Sequence, residues 1–275
     1  MFINLHYKLN RCPWYIKPDF FASLKAAADE LPQKMRQQEA DDFEEFLSFF
    51  INQRPPVSID SNGIAVIAIS GVLGTNLAPI EKLLGFCDYQ DIQNEIEEIT
   101  EQAAKAVLFD VDSPGGTVQG APETAAAIAA LNIPKASYTA GLDCSAAYYL
   151  SSSCDRKFVS PSAITGSIGT MLPWIDQSKL WDAFGIAWEP ITGQGETLKD
   201  AGAGPSLTDA QRDFFQGQVN DLSAAFQNHV SQFREIDYSQ LKGGAHFGTK
   251  AIDLNLVDNQ GSYDDAYQWL YRLVS

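Results

Sequence analysis

Ser145 lies in a stretch whose residue types suit nucleophilic catalysis, residues 141–150 (GLDCSAAYYL). Residues 135–140 alternate polar and apolar side chains as a strand does, and the alanines and large apolar side chains after Ser145 are typical of a helix. The pattern therefore predicts that Ser145 lies at a strand-to-helix junction. An oxyanion formed there would meet unpartnered amides and the positive end of the helix dipole. The alternative role is an N-cap, the commonest task of a serine at that position.

A second candidate feature is the segment 112–117 (DSPGGT), which follows an apolar strand predicted over 106–111. Two glycines after a proline let the backbone approach a ligand closely and turn its amides toward it. In parallel sheets, sites open at the carboxyl ends of the strands. The segment is therefore a candidate pair of hydrogen-bond donors, and the alternative is an ordinary turn.

A serine nucleophile needs a base, and the sequence offers histidines and lysines. None of the three histidines, His6, His229 and His246, lies in the loops expected to build a site, so a Ser-His-Asp triad is disfavoured. Lys199 is the strongest lysine candidate because its loop, 193–202, is rich in glycine and poor in large apolar side chains. A lysine acts as a base when burial lowers its pKa toward neutrality. The alternative is a solvated loop lysine.

Two further side chains near these candidates each suit more than one task. Ser167 lies in the loop 165–169 (TGSIG) after the fourth predicted strand, where its hydroxyl suits either holding a neutral lysine amine or capping a turn. Cys144 precedes Ser145, but no histidine is near it in sequence to stabilise a thiolate. We interpret Cys144 as a small packing residue.

The elements that must position these residues alternate strand and helix from Gly63 onward. Strands are predicted over 64–69, 106–111, 135–140 and 157–159, and helices over 89–102, 121–131, 145–150, 209–234 and 263–273. The run 64–69 is apolar throughout, which suits a strand covered on both faces. This order predicts an α/β fold with a parallel sheet and right-handed crossover helices.

The first 56 residues differ from the rest of the chain. Apolar side chains at helical spacing predict two helices between Asp19 and Ile51, and the Arg54-Pro55-Pro56 sequence closes them. We therefore predict an N-terminal helical extension over residues 1–56 and a main domain over residues 57–275. The aromatic stripe of the extension suits docking against the main domain or a partner subunit.

Composition limits the possible partners and compartment. At 275 residues and 45% hydrophobic, the chain can bury a large core, and its net charge of −16 argues against a nucleic-acid partner. Four scattered cysteines, Cys12, Cys87, Cys144 and Cys154, favour free thiols in a reducing compartment over a zinc site or a disulfide framework. Without a signal-peptide core or a run of ~20 apolar residues, the expectation is a soluble, cytoplasmic protein with no membrane span.

The motifs occur in an order that resembles the signal peptide peptidase A family of serine-lysine peptidases, including its phage-encoded branch of capsid-maturation proteases. The resemblance covers residues 63–261 and rests on the segments 67–71 (IAISG), 112–116 (DSPGG), 144–150 (CSAAYYL), 165–169 (TGSIG), 199–200 (KD) and 248–258. Two features depart from the family. Cys144 stands where alanine is usual, and the helices predicted between Asp19 and Ile51 stand in place of a membrane anchor, which argues against signal peptides as substrates.

The resemblance implies a crotonase-like fold akin to the ClpP protease and protomers that assemble into rings. It further implies that Ser145 is the nucleophile and Lys199 the general base. The backbone NH groups of Gly116 and Ala146 would bind the oxyanion, and Ser167 would orient the lysine amine. In relatives, the lysine can be supplied across a subunit interface, which would leave an isolated monomer inactive.

The sequence thus predicts a serine endopeptidase that works through an acyl-enzyme with no metal and no cofactor. Its partners would be a peptide or unfolded protein substrate, bound by loops 112–118 and 166–173, and further copies of itself. Two alternatives stay open. One is a crotonase-like acyl-CoA hydratase or isomerase, which would need catalytic carboxylates and a basic CoA-binding surface. The other is a non-catalytic ring or capsid-associated scaffold.

Overall fold

A computed structural model of the chain describes residues 57–201 and 206–275, together with the backbone of one short strand, β1 (Trp14–Ile16). The helices predicted between Asp19 and Ile51 lie outside the described residues, as do His6 and Cys12. The N-terminal extension over residues 1–56 therefore stays a prediction.

The described elements follow the alternating order that the sequence predicts, with short additions. They are β2 (Ile64–Ser70), β3 (Val72–Gly74), α1 (Pro79–Leu83), β4 (Phe86–Asp88), α2 (Tyr89–Glu101), β5 (Ala106–Asp112), β6 (Gly115–Thr117), α3 (Ala121–Ala130), β7 (Lys135–Thr139), β8 (Leu142–Cys144), α4 (Ala146–Ser151), β9 (Arg156–Val159), β10 (Ile164–Gly166), α5 (Ser178–Ala183), α6 (Asp209–Val230), α7 (Tyr238–Leu241), β11 (Ala245–Phe247), α8 (Gly248–Ala251), β12 (Asn259–Gln260) and α9 (Tyr263–Val274).

The centre of the fold is a five-stranded sheet in the order β12-β9-β7-β5-β2. All four strand pairs are parallel, and β2 and β5 run in register from the Ile64/Ala106 pair to the Ser70/Asp112 pair. Parallel neighbours require crossover connections, which the helices between the strands supply. The predicted α/β fold with a parallel central sheet is confirmed.

The two faces of this sheet pack against different helices because side chains alternate along a strand. Ala65, Ile67 and Ile69 of β2 belong to the larger core, together with buried residues of α2, α3 and α4. The opposite face packs against α9 through Leu270 and its neighbours. Coverage of this second face ends before the carboxyl end of β2, where Ala68 is exposed, so the prediction of two covered faces holds only for the first half of the strand.

Two small sheets flank the carboxyl ends of the central strands, in the orders β1-β6-β3-β4 and β11-β10-β8. All of their strands have three residues, too few for an alternating pattern to show in the sequence. The segments predicted as loops around residues 115, 143 and 165 are therefore partly strands. Gly116 lies on one of these strands, and two others end immediately before Ser145 and Ser167.

The long helix α6 begins as predicted. The Thr208 hydroxyl accepts a hydrogen bond from the amide of Gln211, whose side chain bonds back to the Thr208 amide, and together they form a capping box. The helix ends at Val230, four residues before the predicted end. No helix in the described part of the chain is long and apolar enough to cross a membrane.

Candidate active site

Ser145 joins β8 to α4 in a backbone conformation that non-glycine residues rarely adopt, with φ 56° and ψ −116°. Such a conformation costs on the order of 1–3 kcal/mol and persists only where neighbouring structure imposes it. The Ser145 amide donates to the carbonyl of Gly166 at 2.7 Å, and the Ser145 carbonyl accepts from the amide of Tyr149 at 2.8 Å. Backbone contacts on both sides therefore hold the turn.

The Ser145 hydroxyl takes no part in those contacts. The residue occupies the N-cap position of α4, yet its side chain makes no capping hydrogen bond. Its Oγ is buried and has no hydrogen-bond partner among the described residues. The alternative role as an N-cap is therefore wrong, because the hydroxyl satisfies no amide of the helix.

The predicted donor segment lies in β6 and the turn before it. The Ser113 hydroxyl donates to the carbonyl of Gly71 at 2.6 Å and accepts from the amide of Gly115 at 3.2 Å, which shapes the turn. A Cβ on Gly116 would lie 1.9 Å from the carbonyl oxygen of Leu73, so only glycine fits between β6 and β3.

Hydrogen bonds join this segment to β8, the strand that leads into Ser145. The Ser113 amide donates to the carbonyl of Leu142 at 2.7 Å, and the Cys144 amide donates to the carbonyl of Ser113 at 3.1 Å. The Asp112 carboxylate accepts from the Leu142 amide at 2.9 Å. The two predicted oxyanion donors, on β6 and at the first residue of α4, therefore lie on elements that are in contact.

Ser167 lies on the other side of the nucleophile turn. It follows β10, has a φ of 55°, and donates its amide to the carbonyl of Gly244 at 2.8 Å. The residue before it, Gly166, accepts the Ser145 amide. The structure therefore brings the backbones of Ser145 and Ser167 together.

Lys199 is not hydrogen-bonded to the Ser145 side chain within one chain. It lies in an exposed turn, where its amide donates to the carbonyl of Glu196 at 3.1 Å. The Ser145 hydroxyl has no amine partner among the described residues. The segment before Lys199 exposes large apolar side chains, including Phe184 at 73% and Ile191 at 97% exposure.

The two described histidines do not replace the lysine. On α6, His229 places its Nε2 atom 3.1 Å from the carbonyl oxygen of Tyr149 and stacks on the Tyr149 ring. Burial lowers the pKa of His229. His246 pairs with Thr165 across β11 and β10. Because the Ser145 hydroxyl has no partner among described residues, neither imidazole is bonded to it.

The cysteines contribute packing rather than a nucleophile. Among the described cysteines, Cys154 is a free thiol. The buried Cys144 Sγ donates to the carbonyl of Ile164 at 3.5 Å, as expected of a packing residue beside the nucleophile turn. Burial raises the pKa of Cys154 to about 12.

A buried ion pair between Asp143 and Lys157, which the sequence did not predict, lies close to the nucleophile turn. The Lys157 Nζ lies 2.6 Å from Asp143 Oδ2, and the two side chains are 1% and 2% exposed. The sequence did contain one indication of this pair, because Asp143 and Lys157 are charged residues in segments whose other side chains are typical of a protein core. A strand is predicted from the local pattern of its own segment, so the sequence did not indicate that these two side chains would contact each other.

Comparison with known proteins identifies the family. The model of peptidase family S49 matches residues 128–275, more than half of the chain. Capsid assembly protease C of Escherichia phage lambda is 28% identical over 211 residues, which cover 74% of this chain and 48% of that protein. A protein of Enterococcus faecium provisionally named signal peptide peptidase SppA is 29% identical over 238 residues, 83% of this chain and 66% of that protein.

The chain thus spans about half to two thirds of the length of these relatives. Among solved structures, a ClpP1 mutant from Listeria monocytogenes superposes with a TM-score of 0.48 and 10% identity over 73% of this chain and 93% of that one. The family match includes Ser145, Ser167 and Lys199. The chain belongs to peptidase family S49.

Proposed function

We propose that this protein is a serine endopeptidase in which Ser145 attacks the carbonyl carbon of a peptide bond. The observation that carries the proposal is the Ser145 hydroxyl, which is buried, unbonded among the described residues and carried by a strained residue. A buried hydroxyl without a partner is costly, and so is the strain, and such costs concentrate where a residue has a functional task. Membership of a peptidase family supports proteolysis as that task.

In the proposed reaction, the neutral amine of Lys199 takes the Ser145 proton as the new O–C bond forms. The carbonyl electron pair moves onto oxygen, where the amides of Gly116 and Ala146 stabilise the negative charge. Collapse of this intermediate breaks the C–N bond, and the lysine ammonium returns the proton to the leaving amine. A water molecule then hydrolyses the acyl-enzyme by the same route, and Ser167 orients the amine throughout.

We propose further that Lys199 acts on the serine of a neighbouring subunit. One chain leaves Lys199 exposed and the Ser145 hydroxyl without a partner among the described residues, so a second copy would complete the site. The exposed apolar side chains between Leu180 and Leu198 are the kind of surface that an interface buries. Such an interface would exclude water and favour the uncharged amine.

The proposed substrate is an extended or unfolded polypeptide bound by loops 112–118 and 166–173. The lambda relative is named as a capsid assembly protease, so cleavage of capsid-associated protein is a natural setting for this chain if it is phage-encoded. The substrate is proposed from the resemblance, and a cytoplasmic location is proposed from the scattered cysteines and the composition.

A fluorophosphonate probe tests the dyad. Ser145 should attack phosphorus and release fluoride, and peptide mass spectrometry should locate one adduct at Ser145 in the assembled protein. Ser145→Ala should abolish labelling, and Lys199→Ala should slow it by about 10²-fold or more because the proton acceptor is gone. Lys250→Ala, which removes a lysine that is 59% exposed, is the matched control and should label normally.

Labelling at another residue would contradict the assigned nucleophile. Normal labelling and full cleavage of a peptide substrate by Lys199→Ala would contradict the assigned base. An acyl-CoA hydratase or a scaffold would show no adduct at all.

A further inference from the structure

A closed ring of buried polar side chains lies under the nucleophile turn. The Lys157 amine donates to Asp143 Oδ2 at 2.6 Å and, at close range, to the Ser151 hydroxyl. The Ser151 hydroxyl in turn donates to Asp143 Oδ1 at 2.9 Å. All three residues are at most 2% exposed. We refer to Asp143, Ser151 and Lys157 as the buried triad.

The buried triad joins the elements that flank Ser145. Asp143 lies on β8, two residues before the nucleophile, and Ser151 is the last residue of α4. Lys157 lies on β9 of the central sheet, and Asp143 Oδ2 also accepts the Thr165 hydroxyl of β10 at 3.4 Å. One amine therefore ties the incoming strand and the outgoing helix of the strained turn to the rigid centre of the fold.

A second set of contacts fixes Lys157 itself. Its backbone amide donates to Asp258 Oδ2 at 2.7 Å, and Arg234 donates to the same oxygen at 3.0 Å. The Lys157 Nζ lies 4.5 Å from the centre of the Tyr148 ring, a cation–π contact, and the Tyr148 hydroxyl donates to the carbonyl of Leu256 at 2.7 Å. The amine thus has little freedom to move.

The buried triad does not constitute a second catalytic site. Although it contains a serine and a lysine in contact, neither side chain is open to a peptide. Burial lowers the pKa of Lys157, and the Asp143 carboxylate opposes that shift. The Lys157 amine donates to Asp143, and the Ser151 hydroxyl donates to Asp143 at 2.9 Å, with a longer contact of 3.4 Å to the carbonyl oxygen of Tyr148.

Stability alone is a weak explanation for such a group. Buried ion pairs often contribute no more to folding than apolar side chains of the same volume, because their desolvation offsets their attraction. Hydrogen bonds are directional, so a closed ring of them fixes the positions of its side chains. Apolar side chains of the same volume would pack there but could slide past one another. The strained conformation of Ser145 requires such fixed neighbours.

We propose that Asp143, Ser151 and Lys157 are positioning residues that hold Ser145 in its strained conformation and so set its rate of acylation. The inference rests on the proposed function of Ser145. It assigns to the triad a task in catalysis that is separable from its contribution to folding.

The test compares variants at matched stability. The double substitution Asp143→Ala with Lys157→Met removes both charges together and leaves no unpaired buried ion. Leu270→Ala is the control, because Leu270 is buried against the opposite face of the central sheet and its loss should lower Tm without reaching the nucleophile turn. If the double variant does not fold, Ser151→Ala removes a single hydroxyl of the triad instead.

Two rates are measured at a temperature well below every Tm: acylation by a fluorophosphonate, and amide hydrogen exchange of residues 145–149. The double variant should acylate about tenfold or more slowly than wild type and exchange these amides correspondingly faster, because misplacement of a reacting group costs rate. Ser151→Ala should change both rates in the same direction by a smaller factor. Leu270→Ala should keep both wild-type values.

The inference would be overturned if the double variant kept the acylation rate and the amide exchange rates of wild type. The same result in Ser151→Ala would overturn it where that variant replaces the double variant. Equal losses in Leu270→Ala and the triad variants would do the same, because the effect would then follow stability alone. If wild type itself is not acylated, the proposed function fails. Hydrogen exchange still decides whether the triad holds the turn.

Discussion

At the scale of single residues, two residues of the candidate site adopt backbone conformations that are unfavourable for side chains other than glycine. Ser145 and Ser167 both have positive φ angles although neither is glycine, and they lie on adjacent backbone segments. Backbone hydrogen bonds hold each of these two residues in its conformation. The strain is thus local, although two of the hydrogen bonds that impose it reach residues distant in sequence, Gly166 for Ser145 and Gly244 for Ser167.

Gly141→Ala should disturb the site through Asp112. A Cβ on Gly141 would lie 2.2 Å from Asp112 Oδ1, the oxygen that accepts the Leu142 amide. We expect the carboxylate to move away, with a loss of about 1–3 kcal/mol in unfolding free energy and slower acylation, because that hydrogen bond connects the donor segment to β8. Gly217→Ala on α6, where nothing lies within 4 Å, should instead stabilise slightly. Urea unfolding and fluorophosphonate kinetics measure both effects.

Asp258 should make the free energy of unfolding decrease as the pH falls into the acid range. Burial would raise its pKa, but the hydrogen bond and charge of Arg234, with the Lys157 amide, hold that pKa below its usual value. A lowered folded pKa means that the contribution is present above the unfolded pKa and is lost as pH falls through the folded pKa. Asp258→Asn should therefore cost about 1–3 kcal/mol near neutral pH and much less at the lowest pH at which both proteins fold. A pH-independent difference in chemical denaturation would contradict this assignment.

At the scale of elements, three-residue strands carry the site. The strands β6, β8 and β10 place the donor segment, the nucleophile and Ser167 side by side, although none is long enough to be stable alone. The strands β8 and β10 pair with each other, and β6 pairs with β3. The strand β1 also pairs with β6 in antiparallel fashion, with Tyr15 opposite Gly116.

The pairing of β1 predicts competition with substrate. Extended peptides commonly bind by adding to a strand, and β1 occupies the side of β6 next to the proposed oxyanion donor. Tyr15→Pro removes a backbone donor of β1 and should weaken the pairing. We expect KM for an extended peptide substrate to fall several-fold, while the acylation rate with a small fluorophosphonate stays constant. A rise in KM would show that β1 supports the substrate site instead of occupying it.

At the scale of the whole molecule, the parallel sheet provides a rigid platform and the proposed assembly completes the chemistry. Different helices bury the two faces of the sheet, but toward the carboxyl end of β2, where the candidate site lies, only the face with the larger core is covered. The proposed base lies on an exposed segment with unburied apolar side chains. Activity is therefore expected to depend on protein concentration in the range where subunits associate.

Mixing two inactive variants distinguishes a lysine from the same chain from one supplied by a neighbour. Co-expressed Ser145→Ala and Lys199→Ala subunits should regain about a quarter of the wild-type sites if the lysine is supplied by one neighbour, because an intact serine meets an intact neighbouring lysine with that probability in a randomly mixed ring. Active-site titration with the fluorophosphonate counts them. No recovery in verified mixed assemblies would place both residues of the dyad in one subunit.

The sequence by itself determined the α/β class, the order of the main strands and helices, and the position of Ser145 at a strand-to-helix junction. These follow from local periodicity and composition, which neighbouring residues set among themselves. The recurring order of short motifs also determined the family.

Only the tertiary structure decided that the Ser145 hydroxyl caps nothing, that its backbone is strained, and that Asp143 and Lys157 meet beneath it. Each of these depends on strands that are separated in sequence and brought into register by the sheet, so no local pattern encodes it. The same reason explains the short strands of the site, since a three-residue segment is a strand only because of the neighbour with which it pairs.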